Sequence, residues 1–178
     1  MDQRDLEKVF VKHGFHDFRW ISGRDIVIGQ WVRFKCMFMC HNYGHSAVCP
    51  PNMPPIEECR AFFTEYSRVV VLHREIQTAT YAPDEVLLSE TDESLLNLEK
   101  EVFLAGFYKA IALPMTVCYQ CRECTGNITT CRHKDRSRPN PEALGVDVFT
   151  TVRRIGYPIE VLTSYRQAMN RYALLLVD

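Results

Sequence analysis

The sequence predicts an α/β or α+β fold: a single domain over residues 1–178, a central mixed β-sheet flanked by helices, and two cysteine-rich, metal-binding loops at about 35–55 and 117–139. Three observations predict it. Helix-like and strand-like stretches largely alternate, the pattern of elements layered on one sheet. The 178 residues are 47% hydrophobic and 24% charged, which suits one core of ordinary size. Seven of the eight cysteines fall in two stretches where Pro, Gly and Asn break regular structure.

The elements follow in order. Residues 3–13, QRDLEKVFVKH, read as a short amphipathic helix, and 24–34, RDIVIGQWVRF, rich in β-branched and aromatic residues, read as a strand ending at Phe34. The next stretch, KCMFMCHNYGHSAVCPPNMPP, reads as a loop that needs an ordering agent other than backbone ladders. Pro54 and Pro55 then lead a helix in which Ile56, Cys59, Phe63 and Tyr66 share a face, and RVVVLHREI follows as a buried strand. SETDESLLNLEKEVFLAG is a helix capped by Ser89 or Thr91, with a Leu95, Leu98, Val102 and Ala105 stripe and Gly106 as its stop. FYKAIALPM is the strand that runs into the second cysteine loop. Asn140 caps a helix that begins at Pro141, carries Leu144, Val148, Val152 and Ile155, and stops at Gly156 and Pro158. IEVL and RYALLLVD close the chain as strand candidates.

A formal charge of -1 gives no global attraction for nucleic acid or an anionic membrane, so neither is an expected partner. The charged N-terminus lacks the apolar core of a secretory signal, and a cytoplasmic protein is expected. In a reducing compartment eight cysteines argue for metal ligation or redox chemistry over a disulfide framework.

Cys118, Cys121 and Cys124 form C-x2-C-x2-C, with Cys131 seven residues beyond. A short wrap of backbone at this spacing presents successive sulfurs to different iron corners of a [4Fe-4S] cubane. An all-cysteine zinc site and a dithiol redox pair are the alternatives. Cys36, Cys40 and Cys49 form the looser C-x3-C-x8-C-P-P, with His41 and His45 between, as extra ligands or as solvated loop histidines. Two cubanes, or one drawing on both loops, are the candidate arrangements; a cubane with three thiolates has a non-cysteine ligand or an open iron. Cys59, on the apolar helix face, reads as core packing. Arg132, His133, Lys134, Arg136 and Arg138 concentrate positive charge after Cys131, to steer an anionic partner or to raise a cluster's potential, or simply as a solvated helix leader.

With CMFMCHNYGHSAVCPP and CYQCRECTGNITTCRHKDRSRPNPEALGVDVFTTVRRIGYPIEVL in hand, the chain resembles an uncharacterised family of predicted metal-binding proteins, domain of unknown function 2284. The resemblance implies that Cys36, Cys40, Cys49, Cys118, Cys121, Cys124 and Cys131 belong to the family pattern, and it names no reaction. The expected function is a protein holding one or two [4Fe-4S] clusters, acting in electron transfer or as a redox accessory to a partner enzyme. The alternatives are a zinc-stabilised binding module and a cluster enzyme with an open iron. No dinucleotide fingerprint, phosphate loop or catalytic triad stands at convincing spacing, so no catalytic residue is assigned.

Overall fold

In a computed structural model, which describes residues 2–77, 85–164 and 166–178, nine principal elements surround one sheet. They are α1 (Gln3–Lys12), β1 (Asp17–Ile21), α2 (Gln30–Met39), α3 (Ile56–Thr64), β2 (Val69–Ile76), α4 (Glu85–Leu104), β3 (Ile111–Leu113), α5 (Val148–Arg154) and β4 (Met169–Leu176). The strand order is β1-β2-β4-β3, and every pair is antiparallel. The sheet expected to be mixed therefore lacks a parallel pair among the described residues.

Both central strands carry a continuous apolar run, residues 69–72 in β2 and 173–176 in β4, because both faces are covered there. Alternation sends Val70, Leu72, Ala112, Ala173 and Leu175 to one face, where Leu6, Val9 and Phe10 of α1 and Leu95, Leu98 and Val102 of α4 pack on them. Val69, Val71, Leu113, Leu174 and Leu176 go to the other, against Cys59 and Phe63 of α3, Leu144, and Val152 of α5. The result is three layers. Cys59 is 2% exposed inside the second cluster, so its place is the core.

Three expected elements differ. The strand ending at Phe34 is absent: Ile28 makes an isolated bridge to Val146, Gly29 caps a helix, and residues 30–39 coil as α2. Trp31, Phe34 and Phe38 recur at helical spacing, and Trp, Phe and Met raise strand propensity only where a neighbouring strand receives them. Here they stay exposed, at 49%, 51% and 73%. The long helix after Asn140 is broken in two. A short 3-10 turn, Pro141–Leu144, ends at Gly145 (φ 83°), and Asp147 starts α5 by accepting from Thr150 N at 2.9 Å. The break is tertiary, since Gly29 N donates to Gly145 O (2.9 Å) and Asp147 N to Val27 O (2.8 Å). IEVL is irregular, with Arg153 donating to Ile159 O at 2.9 Å. Ser89 and Thr91 lie inside α4, already helical at Glu85, rather than capping it.

Asp92 and Glu99 of α4 position the second cysteine loop. They stand two turns apart on one helix face. Asp92 accepts from Met115 N (3.1 Å) and from the Thr116 hydroxyl, at the loop's beginning. Glu99 accepts from Ala112 N (2.9 Å) and from Arg138 (2.6 Å), at the loop's end.

The Arg138–Glu99 pair is largely shielded from water, with side chains 19% and 11% exposed. Glu99→Gln strands the guanidinium, and the expected cost is about 3 kcal/mol in a denaturant titration of the metal-free protein. The double variant Glu99→Leu, Arg138→Met is expected to recover a good part of that loss. A single variant as stable as wild type would show that the pair does not anchor the loop.

Candidate metal centre

Because residues 30–39 are helical, Cys36 lies in the last turn of α2 and Cys40 is its C-cap, the Cys40 N–H donating to Cys36 O at 3.3 Å. A four-residue step on a helix brings two side chains to one side. The chain then turns back: Gly44 N donates to Pro50 O (2.9 Å) and Cys49 N to Ser46 O (3.3 Å), bringing Cys49 under the turn. Arg33 of α2 donates to Pro54 O at 2.8 Å and holds the far end of the loop.

The second loop leaves β3 at Leu113 and is pinned by α4 as described. Inside it, Asn127 accepts from Thr129 N at 2.8 Å and caps a 3-10 turn, Ile128–Thr130, whose C-cap is Cys131. The two loops interlock. Asn52 donates to both Ser46 O and Gly126 O at 2.9 Å, and Ala47 N of the first loop donates to the Cys124 sulfur of the second at 3.3 Å.

The electrostatics sort the thiols into two neighbouring groups. Burial pushes the Cys36 thiol up, and the Cys40 thiolate and the Glu142 carboxylate push it further. Burial also raises Cys49, with added repulsion from Cys40, Cys36 and Cys118, offset in part by the Ser46 hydroxyl. Cys118 is raised by burial and then by Cys121, Cys124 and Cys131, against a backbone hydrogen bond at Gln120. So Cys36, Cys40 and Cys49 form one group, Cys118, Cys121, Cys124 and Cys131 the other, and Cys49 is near enough to Cys118 to feel its charge. All eight cysteines are free thiols. Among the described residues no three His, Cys, Asp or Glu side chains converge closely enough to close around a single ion.

The surroundings fit a group that binds through thiolate. Ala47 N–H is aimed at Cys124, Cys131 Sγ is 3.5 Å from Ser137 Oγ, and the buried Ser46 hydroxyl lies beside Cys49. Donors of this kind stabilise sulfur carrying negative charge. His41 and His45 are exposed.

The basic stretch divides. Arg136 pairs with Glu93 and Arg138 with Glu99, so their charge is offset by α4. Arg132 and Lys134 are exposed, and His133 is half-buried. The supporting carboxylates Asp92, Glu99 and Glu142 were not singled out in the sequence. The first two sit among the many acids of an ordinary amphipathic helix, and Glu142 reads as a helix first-turn acid.

Burial raises the pKa of Asp92 to about 6, against the hydrogen bonds from Thr116 and Met115. A carboxyl raised in the fold binds its proton more tightly there than in the unfolded chain, so stability falls as pH rises from about 4 through about 6 and then levels off. The full effect is on the order of 3 kcal/mol. Asp92→Asn keeps an acceptor for Met115 N without the charge. Thermal melts of the metal-free variant are expected to lose the pH 4–7 slope and to lie about 5 °C above wild type at pH 7.5. Parallel pH profiles for the two proteins would refute the assignment.

Residues 19–177 match the family model described as Predicted metal-binding protein (DUF2284). No curated protein and no solved structure matches the chain. The match spans nearly the whole fold, both cysteine loops included, and the chain belongs to this family of predicted metal-binding proteins.

Proposed function

We propose that this metal-binding protein holds [4Fe-4S] clusters, one in each thiol group, and that it serves in electron transfer or as a redox accessory to a partner enzyme in the cytoplasm. The observation that carries the reading is Cys118-x2-Cys121-x2-Cys124 with Cys131, gathered in one loop with an amide N–H directed at the Cys124 sulfur. Successive thiolates in so short a wrap reach separate irons more readily than the four corners of one small tetrahedron. Such a cluster supplies one-electron redox chemistry when bound.

The chain's own part is to bind, to shield and to tune. Cys49 is buried and Cys118 and Cys131 are half-buried, while Cys40 and Cys124 are exposed, which leaves a short path from sulfur to the surface. The donors on sulfur and the nearby cations Arg132 and Lys134 favour the more reduced, more negative state. The free thiols accord with a reducing compartment, and among the described residues no helix is long and apolar enough to cross a membrane.

Anaerobic purification with iron, acid-labile sulfide and zinc analysis tests the reading. Brown protein with about four irons and four sulfides per cluster is expected; stoichiometric zinc without sulfide would replace the proposal with a zinc-stabilised binding module. Cys121→Ser is expected to lose the iron of the second group, and Cys59→Ser to keep full iron with only a packing cost. Unchanged iron and spectrum in Cys121→Ser would count against the ligand assignment.

A second prediction concerns the exposed cations. Arg132→Gln with Lys134→Gln is expected to slow reduction by an acidic protein donor at low salt, where the Debye length is about 30 Å at 0.01 M, with iron content unchanged. The difference is expected to vanish as salt rises. Equal stopped-flow rates at low salt would remove partner steering from the role of this segment.

A further inference from the structure

Of the two thiol groups, the second has four cysteines and the first has three, so one corner of the first lacks a thiolate. The fold sets two carboxylates, Glu142 and Asp147, in the cavity wall that holds Cys36 and Cys40, and Asp147 is already engaged by Thr150. An open cavity of about 320 Å³ is lined by Cys36, Cys40 and Glu142, with Val146, Val148 and Phe149 beside them. Glu142 sits in the 3-10 turn Pro141–Leu144, and that turn is held against the start of α2 by the Gly29–Gly145 hydrogen bond and the Ile28–Val146 bridge.

The state of the Glu142 carboxylate is what singles it out. Among the described residues it has no hydrogen bond from another side chain and no ion pair. The other shielded carboxylates are all engaged: Asp92 by Met115 N and Thr116, Glu99 by Ala112 N and Arg138, Asp147 by Thr150 N and hydroxyl. Lys35 lines this cavity and, with Arg171, a neighbouring one that Glu142 also lines, yet neither pairs with Glu142 among the described residues. Glu142 is half-buried, and a carboxylate partly withdrawn from water with no side-chain donor on it gains from a cation placed beside it. The rival donors lack this demand. His41 and His45 are exposed to solvent, and Cys59 is in the core, with Arg33 and Pro54 O as its contacts at 3.4 Å and 3.5 Å.

We propose that Glu142 is the fourth protein ligand of the metal group held by Cys36, Cys40 and Cys49. The proposal rests on the iron-sulfur reading for the identity of that group, and it gives the first site one oxygen ligand where the second has only sulfur. An oxygen donor is the harder and more exchangeable ligand, so the first site's odd corner opens onto the cavity and is the one from which iron is most readily lost.

The test compares wild type, Glu142→Gln and Glu142→Asp, each reconstituted anaerobically with ferrous iron and sulfide. Glu142→Gln is expected to carry at least one iron fewer per chain than wild type, to show a three-iron electron paramagnetic resonance signal after mild oxidation, and to keep the second group's reduced signal. Glu142→Asp, which retains a carboxylate, is expected to hold more iron than the Gln variant. The metal-free Gln variant is expected to melt at or above wild type, because an unpartnered charge has been removed; a melt well below wild type would instead mark a structural role and overturn the proposal. Equal iron and identical spectra in wild type and Glu142→Gln would also overturn it. Wild-type protein that takes up zinc and no sulfide refutes the iron-sulfur reading separately; the same variants are then compared by zinc equivalents, and equal counts refute ligation by Glu142.

Discussion

Two carboxylates on one face of α4 hold the second cysteine loop at both ends, and the geometry of the site depends on them. Asp92 and Glu99 are seven residues apart, about 10 Å along the helix. Between them they fix Met115 and Thr116, where the chain leaves the sheet, and Arg138, where it returns. Glu99 also takes the Ala112 N–H, so the same group that anchors the loop completes the short strand before it. The intervening residues contain only one 3-10 turn, and without these anchors a loop of that length would have little to set its path.

The first loop is held differently. Its thiols begin on a helix, and its return is closed by backbone hydrogen bonds around residues 44–50 and by Arg33 on Pro54. The contact between loops is small but specific, with Asn52 spanning Ser46 O and Gly126 O and Ala47 donating to Cys124. Neither loop has a pair of strands to brace it. Burial raises the Cys36, Cys49 and Cys118 thiols first, and repulsion from neighbouring thiolates adds to it. A cation bound among thiolates turns such repulsion into attraction, the general route by which metal binding is coupled to folding.

The antiparallel sheet makes the meeting of the loops possible without the parallel strands the sequence suggested. β3 ends beside the middle of β4, and the segment after it turns toward the N-terminal half of β4, where Met115, Arg171 and Tyr172 line one cavity with Glu142. α2 reaches the same edge because Ile28 and Gly29 are tied to Val146 and Gly145. Helix and loop are tied through one isolated bridge, made of two hydrogen bonds, rather than through strand order.

By itself the sequence determined what short-range chemistry determines. The apolar runs 69–72 and 173–177 could only be strands covered on both faces, the Leu95, Leu98 and Val102 stripe could only be a buried helix face, and C-x2-C-x2-C confines three sulfurs to one small volume whatever the fold. Only the tertiary structure decided the rest. Residues 30–39 have aromatic and apolar side chains compatible with either period, and no strand lies beside them to receive a ladder, so they coil. The break at Gly145 comes from hydrogen bonds to residues more than a hundred positions earlier. The pairing of Arg136 and Arg138 with α4, which takes two charges out of the basic stretch, likewise joins residues about forty apart. The isolated carboxylate of Glu142 is visible only once its neighbours are known, because a residue's lack of a partner is a property of everything packed around it and of no local pattern.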